Sequence, residues 1–91
     1  MAHFTVSYDL HNQRTYEPVW RLLESWGAVR LLESLWLVTL ASTASQVRDA
    51  LQRVVDSDDS VAVLELQVGS DWACVRAKPD GVAWLRKNIK P

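Results

Sequence analysis

Hydrophobic and polar residues change their spacing several times along the chain, and each change marks an element. Phe4, Val6 and Tyr8 alternate with Thr5, Ser7 and Asp9. Period two with one apolar face predicts a half-buried strand over Phe4–Leu10. From Thr15 to Trp26 the spacing lengthens, with Val19, Leu22, Leu23 and Trp26 at i, i+3, i+4 and i+7, one face of a helix. Pro18 suits its first turn, Glu17 and Arg21 form a surface pair four apart, and Gly27 supplies a left-handed stop. The thirteen residues Ala28–Leu40 are rich in β-formers and too long for one average strand. A tight hairpin at the polar pair Glu33-Ser34 divides them into strands over Val29–Leu32 and Leu35–Leu40.

A second helix follows, announced by Thr43 and Gln46 at capping-box spacing and carried by Val47, Ala50, Leu51, Val54 and Val55. Ser60–Val68 predicts another strand, with Ala62, Leu64, Leu66 and Val68 on one face and Val61, Val63, Glu65 and Gln67 on the other. Gly69-Ser70-Asp71 turns the chain into an expected short strand over Trp72–Ala77. Pro79 then opens a last helix with Val82, Leu85 and Ile89 on one stripe. The order β-α-β-β-α-β, plus a short strand and a helix, predicts a single α+β domain over residues 1–91. The expected core is a ferredoxin-like antiparallel sheet over about residues 3–68, with the extra strand and helix over about 72–90. Both main helices would then cover one sheet face. Leu35, Leu37, Val61 and Val63 are expected on the other, beside Thr5 and Ser7, and a homodimer through that face would bury them.

Composition narrows the function classes. A 48% apolar content excludes a disordered chain, and 91 residues bury only about two-thirds of their unfolded surface, which makes a partner copy useful. A formal net charge of −1 argues against coating polyanions by bulk attraction. Its distribution is uneven. The last sixteen residues hold Arg76, Lys78, Arg86, Lys87 and Lys90 against Asp80, which gives +4 there and −5 elsewhere. A solvated tail helix is the simpler account of this, a phosphate-facing patch the alternative. Cys74 is the only cysteine, so no intrachain disulfide forms and a reducing compartment is expected. M-A-H-F-T-V lacks the features of a signal peptide and no eighteen apolar residues run together, so the expectation is a cytoplasmic protein with no membrane segment.

Candidate chemistry gathers at the end of the first strand. Asp9 is an acid facing the polar run His11-Asn12-Gln13-Arg14, and the bland alternative makes it a strand-end turn residue. His11 is a candidate general base, since imidazole is a side chain suited to proton transfer near neutral pH, although a solvated loop histidine is the simpler reading. His3 reads as incidental. Asp56, Asp58 and Asp59 crowd one turn but lack the glycine and distal glutamate of an EF-hand, so a solvated turn is expected. The five tryptophans are candidate base-stacking platforms. Trp26 and Trp36 fall on core-facing positions, and Trp20, Trp72 and Trp84 are expected at an interface.

The segments V-S-Y-D-L at Val6–Leu10 and G-A-V-R-L-L-E-S-L-W at Gly27–Trp36 resemble two related families. One is the small CRISPR-associated adaptation proteins (the second Cas family); the other is the virulence-associated protein D toxins. Tyr8-Asp9, Gly27 and Ser34-Leu35-Trp36 carry the likeness, and Asp58–Val61 adds to it on the CRISPR side. The resemblance covers about residues 3–68. It implies a ferredoxin-like homodimer, an endoribonuclease or nuclease dependent on Mg²⁺ or Mn²⁺, acting on RNA or DNA within a defence or toxin module and with a partner protein of that module. Asp9 would be the metal ligand, paired with its symmetry mate, and Ser34 a residue near the site. Where the CRISPR proteins continue after the aspartate with further charged residues, this chain has His11 and Asn12, and it is slightly acidic rather than basic. A non-catalytic dimeric adaptor of the same fold is therefore the competing expectation.

Overall fold

The computed structural model of the chain describes residues 1–10 and 16–91, and His11 lies outside the described residues. Seven elements follow one another: β1 (Ala2–Asp9), α1 (Glu17–Ser25), β2 (Val29–Leu32), β3 (Leu35–Leu40), α2 (Ala44–Gln52), β4 (Ser60–Leu66) and α3 (Pro79–Asn88). The strands form one antiparallel sheet in the order β2-β3-β1-β4. The helix signals act as their chemistry dictates. Pro18 occupies the first turn of α1, Glu17 pairs with Arg21, and Gly27 takes the left-handed φ of 76° that ends the segment. Thr43 and Gln46 close a reciprocal capping box at α2, and the hairpin breaks at Glu33-Ser34.

Register sorts the side chains onto two faces. Phe4 and Val6 lie opposite Val38 and Trp36 of β3, and together with Tyr8 they pack under Val19 and Leu23 of α1 and Val47 and Leu51 of α2. On the other face Thr5 lies opposite Leu37. That face is partly covered from within. Leu85 of α3 and Ile89 just past its end bury Leu37 completely and Leu31 almost so, with Leu35, Leu66 and Val82 at the margin. The expectation of a wholly open second face is thereby corrected: among the described residues α3 and the chain just after it roof the β2–β3 half and reach His3 and Leu66, which leaves the part over residues 5–9 and 60–64 uncovered.

The composition of that open part also departs from expectation. In register, Val6 faces Val63 and Tyr8 faces Val61, so Val61 and Val63 join the helix-covered side. Ala62 and Leu64, opposite Ser7 and Thr5, take the other, and Leu64 is 59% exposed. Because both faces of β4 are apolar in sequence, its own alternation could not choose between them; pairing with β1 does. The predicted strand over Trp72–Ala77 is absent. Residues 71–78 are irregular and are tied down by other means: the Trp72 indole donates to the Lys90 carbonyl (2.8 Å), Asp71 pairs with Lys90, and the Lys78 N–H donates to the Leu31 carbonyl (2.9 Å).

Candidate functional site

Asp9 closes β1 opposite Ser60 and is exposed. It borders a shallow pocket of about 120 Å³ that Ser7, Tyr8, Ser60, Val61 and Ala62 complete. Alternation puts its side chain on the open half of the sheet with Ser7 and Thr5. Ser34 lies beside this strand end: its backbone carbonyl accepts from the Tyr8 N–H at 3.3 Å, while its side chain is half-buried in the hairpin turn. The fold thus puts Ser34 opposite Tyr8, the residue before Asp9, while the pocket that Asp9 borders is lined without it. His3 is far from incidental to the packing, since its Nδ1 lies 2.8 Å from the Thr39 hydroxyl and its ring meets Trp84 edge-on.

What a single carboxylate can do here is limited but definite. Asp9 offers hard oxygen donors in a setting rimmed by two hydroxyl side chains, a donor chemistry that suits Mg²⁺ or Mn²⁺. Among the described residues that line this pocket Asp9 is the one carboxylate, too thin a ligand set to hold an ion by itself. Among the described residues the one group of three metal-competent side chains is Asp56, Asp58 and Asp59, whose oxygens lie within 4.8 Å of one another. Part of that geometry serves the turn itself, since the Asp59 carboxylate accepts from the Asp56 N–H at 2.8 Å. No protein-family model matches the chain, and no solved structure matches it significantly.

A second constellation was not foreseen from the sequence. At the β2 edge the Arg30 guanidinium lies over two indoles, 4.6 Å from the centre of Trp20 and 4.6 Å from that of Trp36. Tyr16 stacks on Trp20, with ring centres 5.6 Å apart. Both indole N–H groups donate to one acceptor, the buried Tyr8 hydroxyl, at 2.8 Å from Trp20 and 3.1 Å from Trp36. Trp20, like Trp72 and Trp84, makes contacts within the molecule and is half-buried there.

Arg30 meets Lys78 through one carboxylate. Glu33 places one oxygen 3.1 Å from the Lys78 ammonium and the other 3.6 Å from the Arg30 guanidinium. The hydrogen bond from Lys78, then its charge, with a smaller contribution from Arg30, holds the Glu33 carboxyl below the usual carboxylate range. Beside them opens a cleft of about 330 Å³, lined by Glu24, Arg30, Trp36, Lys78 and Asp80 with Ala28 and Val29. The hairpin is why the sequence concealed it. A bulge at Leu31 pairs Arg30 with Trp36 instead of Leu37, which turns Arg30 to the aromatic face.

Proposed function

We propose that the chain acts as a homodimeric, metal-dependent nuclease of the CRISPR-associated and virulence-associated protein D kind, with RNA as its first substrate class. The ferredoxin-like arrangement belongs to this reading, supported by the strand order, which read from the other edge is β4-β1-β3-β2 with every neighbour antiparallel. The observation that carries the function is the exposure of Asp9 at the end of a central strand, on the half of the sheet that α3 leaves open. Two copies meeting through that half bring two Asp9 carboxylates to the two-fold axis. When bound there, a divalent ion supplies charge neutralisation at a phosphodiester and a more acidic water. The chain's own part is to hold the ligand oxygens at a fixed strand end, with the Ser34 carbonyl anchoring Tyr8 beside them. The protein would work in the cytoplasm; among the described residues no helix is long and apolar enough to cross a membrane.

One observation favours a second reading. Among the described residues Asp9 belongs to no group of three or more candidate ligands, which suits a dimeric adaptor that binds a partner without cutting. Catalysis separates the two. Purified protein is expected to cleave single-stranded RNA only with Mg²⁺ or Mn²⁺, and Asp9→Asn to lower the rate by a hundredfold or more at unchanged folding, the scale of losing metal-based charge stabilisation. Ser34→Ala should cost less, because its backbone carbonyl remains. Equal cleavage by Asp9→Asn, or no metal-dependent cleavage of RNA or DNA by the wild type, transfers the protein to the adaptor reading.

A further inference from the structure

The cleft at the β2 edge has the parts of an anion-binding site, and they are independent of Asp9. Arg30 is the first part. Its side chain is only 23% exposed, and its guanidinium carbon lies over two indole rings, 4.6 Å from the centre of each, so the group is held at the cleft instead of ranging through solvent. A guanidinium held in place recognises phosphate or carboxylate through two parallel hydrogen bonds. The stack is itself held in place by the Tyr8 hydroxyl, so little ordering would remain to be done on binding.

The second part is the way the cations are neutralised. Glu33 bridges Arg30 and Lys78 with its two oxygens, so the cations stand at a spacing that one anionic group can span. Glu33 is a poor permanent occupant. Its side chain is 83% exposed on a two-residue turn, and 3.6 Å to Arg30 is an electrostatic contact rather than a hydrogen bond. A phosphate, with more oxygens and more charge, reaches both cations with better geometry and displaces it. The cleft wall sets the rest of the ligand. Glu24 and Asp80 repel a purely anionic molecule but accept hydrogen bonds from hydroxyl or amino donors.

We propose that this cleft binds a small phosphate monoester whose remainder carries hydrogen-bond donors, a nucleoside monophosphate or a sugar phosphate, with Glu33 as the internal carboxylate that the phosphate replaces. A volume of about 330 Å³ lies at the small end of ligand pockets and accommodates a molecule of that size.

Titration by calorimetry and tryptophan fluorescence tests this, with inorganic phosphate, ribose 5-phosphate, adenosine 5′-monophosphate and adenosine as probes. EDTA in every sample keeps the outcome separate from any metal site at Asp9. Saturable binding is expected for both esters, tighter than for inorganic phosphate, and none for adenosine. Lys78→Gln should weaken ester binding about tenfold, the scale of one charge-assisted hydrogen bond. Glu33→Gln should tighten it several-fold, because a neutral amide competes less well for the two cations. Arg30→Lys keeps the charge but loses the fork, and should abolish binding. Since it also disturbs the stack, the exposed Lys78 and Glu33 variants carry the decision if Arg30→Lys unfolds. No saturable ester binding by wild type or Glu33→Gln overturns the proposal. So does adenosine binding as tightly as its monophosphate, or Lys78→Gln binding like wild type.

Discussion

Tyr8 shows how one polar atom can organise an apolar face. Its residue is 3% exposed, and its hydroxyl receives hydrogen bonds from two indoles that come from α1 and from β3. Both rings lie under Arg30, so a single oxygen helps to hold two cation–π contacts. Each arginine–indole contact contributes about 0.5–2 kcal/mol depending on how dry it is, and it depends on the ring staying beneath the guanidinium. Tyr8→Phe removes the oxygen and almost no volume. It leaves the buried Trp36 N–H without its acceptor and lets Trp20 turn toward water. A loss of about 2–3 kcal/mol is expected in urea unfolding, mostly the cost of the orphaned donor. A loss below about 0.5 kcal/mol would mean that the indoles find other acceptors and that the hydroxyl does not set the stack.

At the scale of elements, the sequence disclosed what depends on neighbours in the chain and concealed what depends on distant pairing. The capping box at Thr43, the stop at Gly27, the hairpin break at Glu33-Ser34 and the start of α3 at Pro79 are local chemistry, and each is found where its residues stand. The face of β4 was illegible because Val61 and Val63 alternate with Ala62 and Leu64, so either set could have faced the core. The cleft was illegible for a related reason: the bulge at Leu31 reverses which side Arg30 takes, and no residue type in V-R-L-L announces it. Of the candidate site, the placement of Asp9 and Ser34 followed from strand alternation and the hairpin. Arg30 and Lys78 are 48 positions apart and meet only through the fold.

The bulge also determines how α3 docks. Gly81 sits where a Cβ would lie 2.6 Å from the Leu31 Cα and 2.8 Å from the Arg30 carbonyl oxygen, both backbone atoms that cannot rotate away. In an unpacked helix, alanine would be worth about 1 kcal/mol over glycine. Here the clash outweighs it, because overpacking against backbone costs about 1–3 kcal/mol and must be relieved by lifting α3 from Leu37. Gly81→Ala is therefore expected to lower the stability by up to about 2 kcal/mol and to increase binding of a hydrophobic dye. A variant more stable than wild type would show that the helix slides at no cost and that the close approach is not a constraint.

At the scale of the molecule, coverage of the two sheet faces is unequal. The segment after β4 is folded back onto the body, where Trp72, Leu85 and Ile89 pack with Leu31 and Leu37. It spends that coverage on β2 and β3. What remains is a strip over β1 and β4 in which Leu64 and Ala62 stand beside Thr5 and Ser7, with Asp9 at its end. A homodimer through this strip would remove Leu64 from water and bring the Asp9 pair together in the same event, so assembly and site formation would be one equilibrium. Leu37 cannot report on it, being buried under α3 within one protomer. Leu64→Lys can, because at 59% exposure the substitution leaves the monomer core untouched while placing two like charges across the two-fold axis. Sedimentation equilibrium should give a dimer for wild type and a folded monomer for Leu64→Lys. Nuclease activity should fall with the dimer fraction rather than with stability. A wild type that stays monomeric at high concentration, or a Leu64→Lys dimer of unchanged affinity, would move the two-fold axis off this strip and separate Asp9 from its mate.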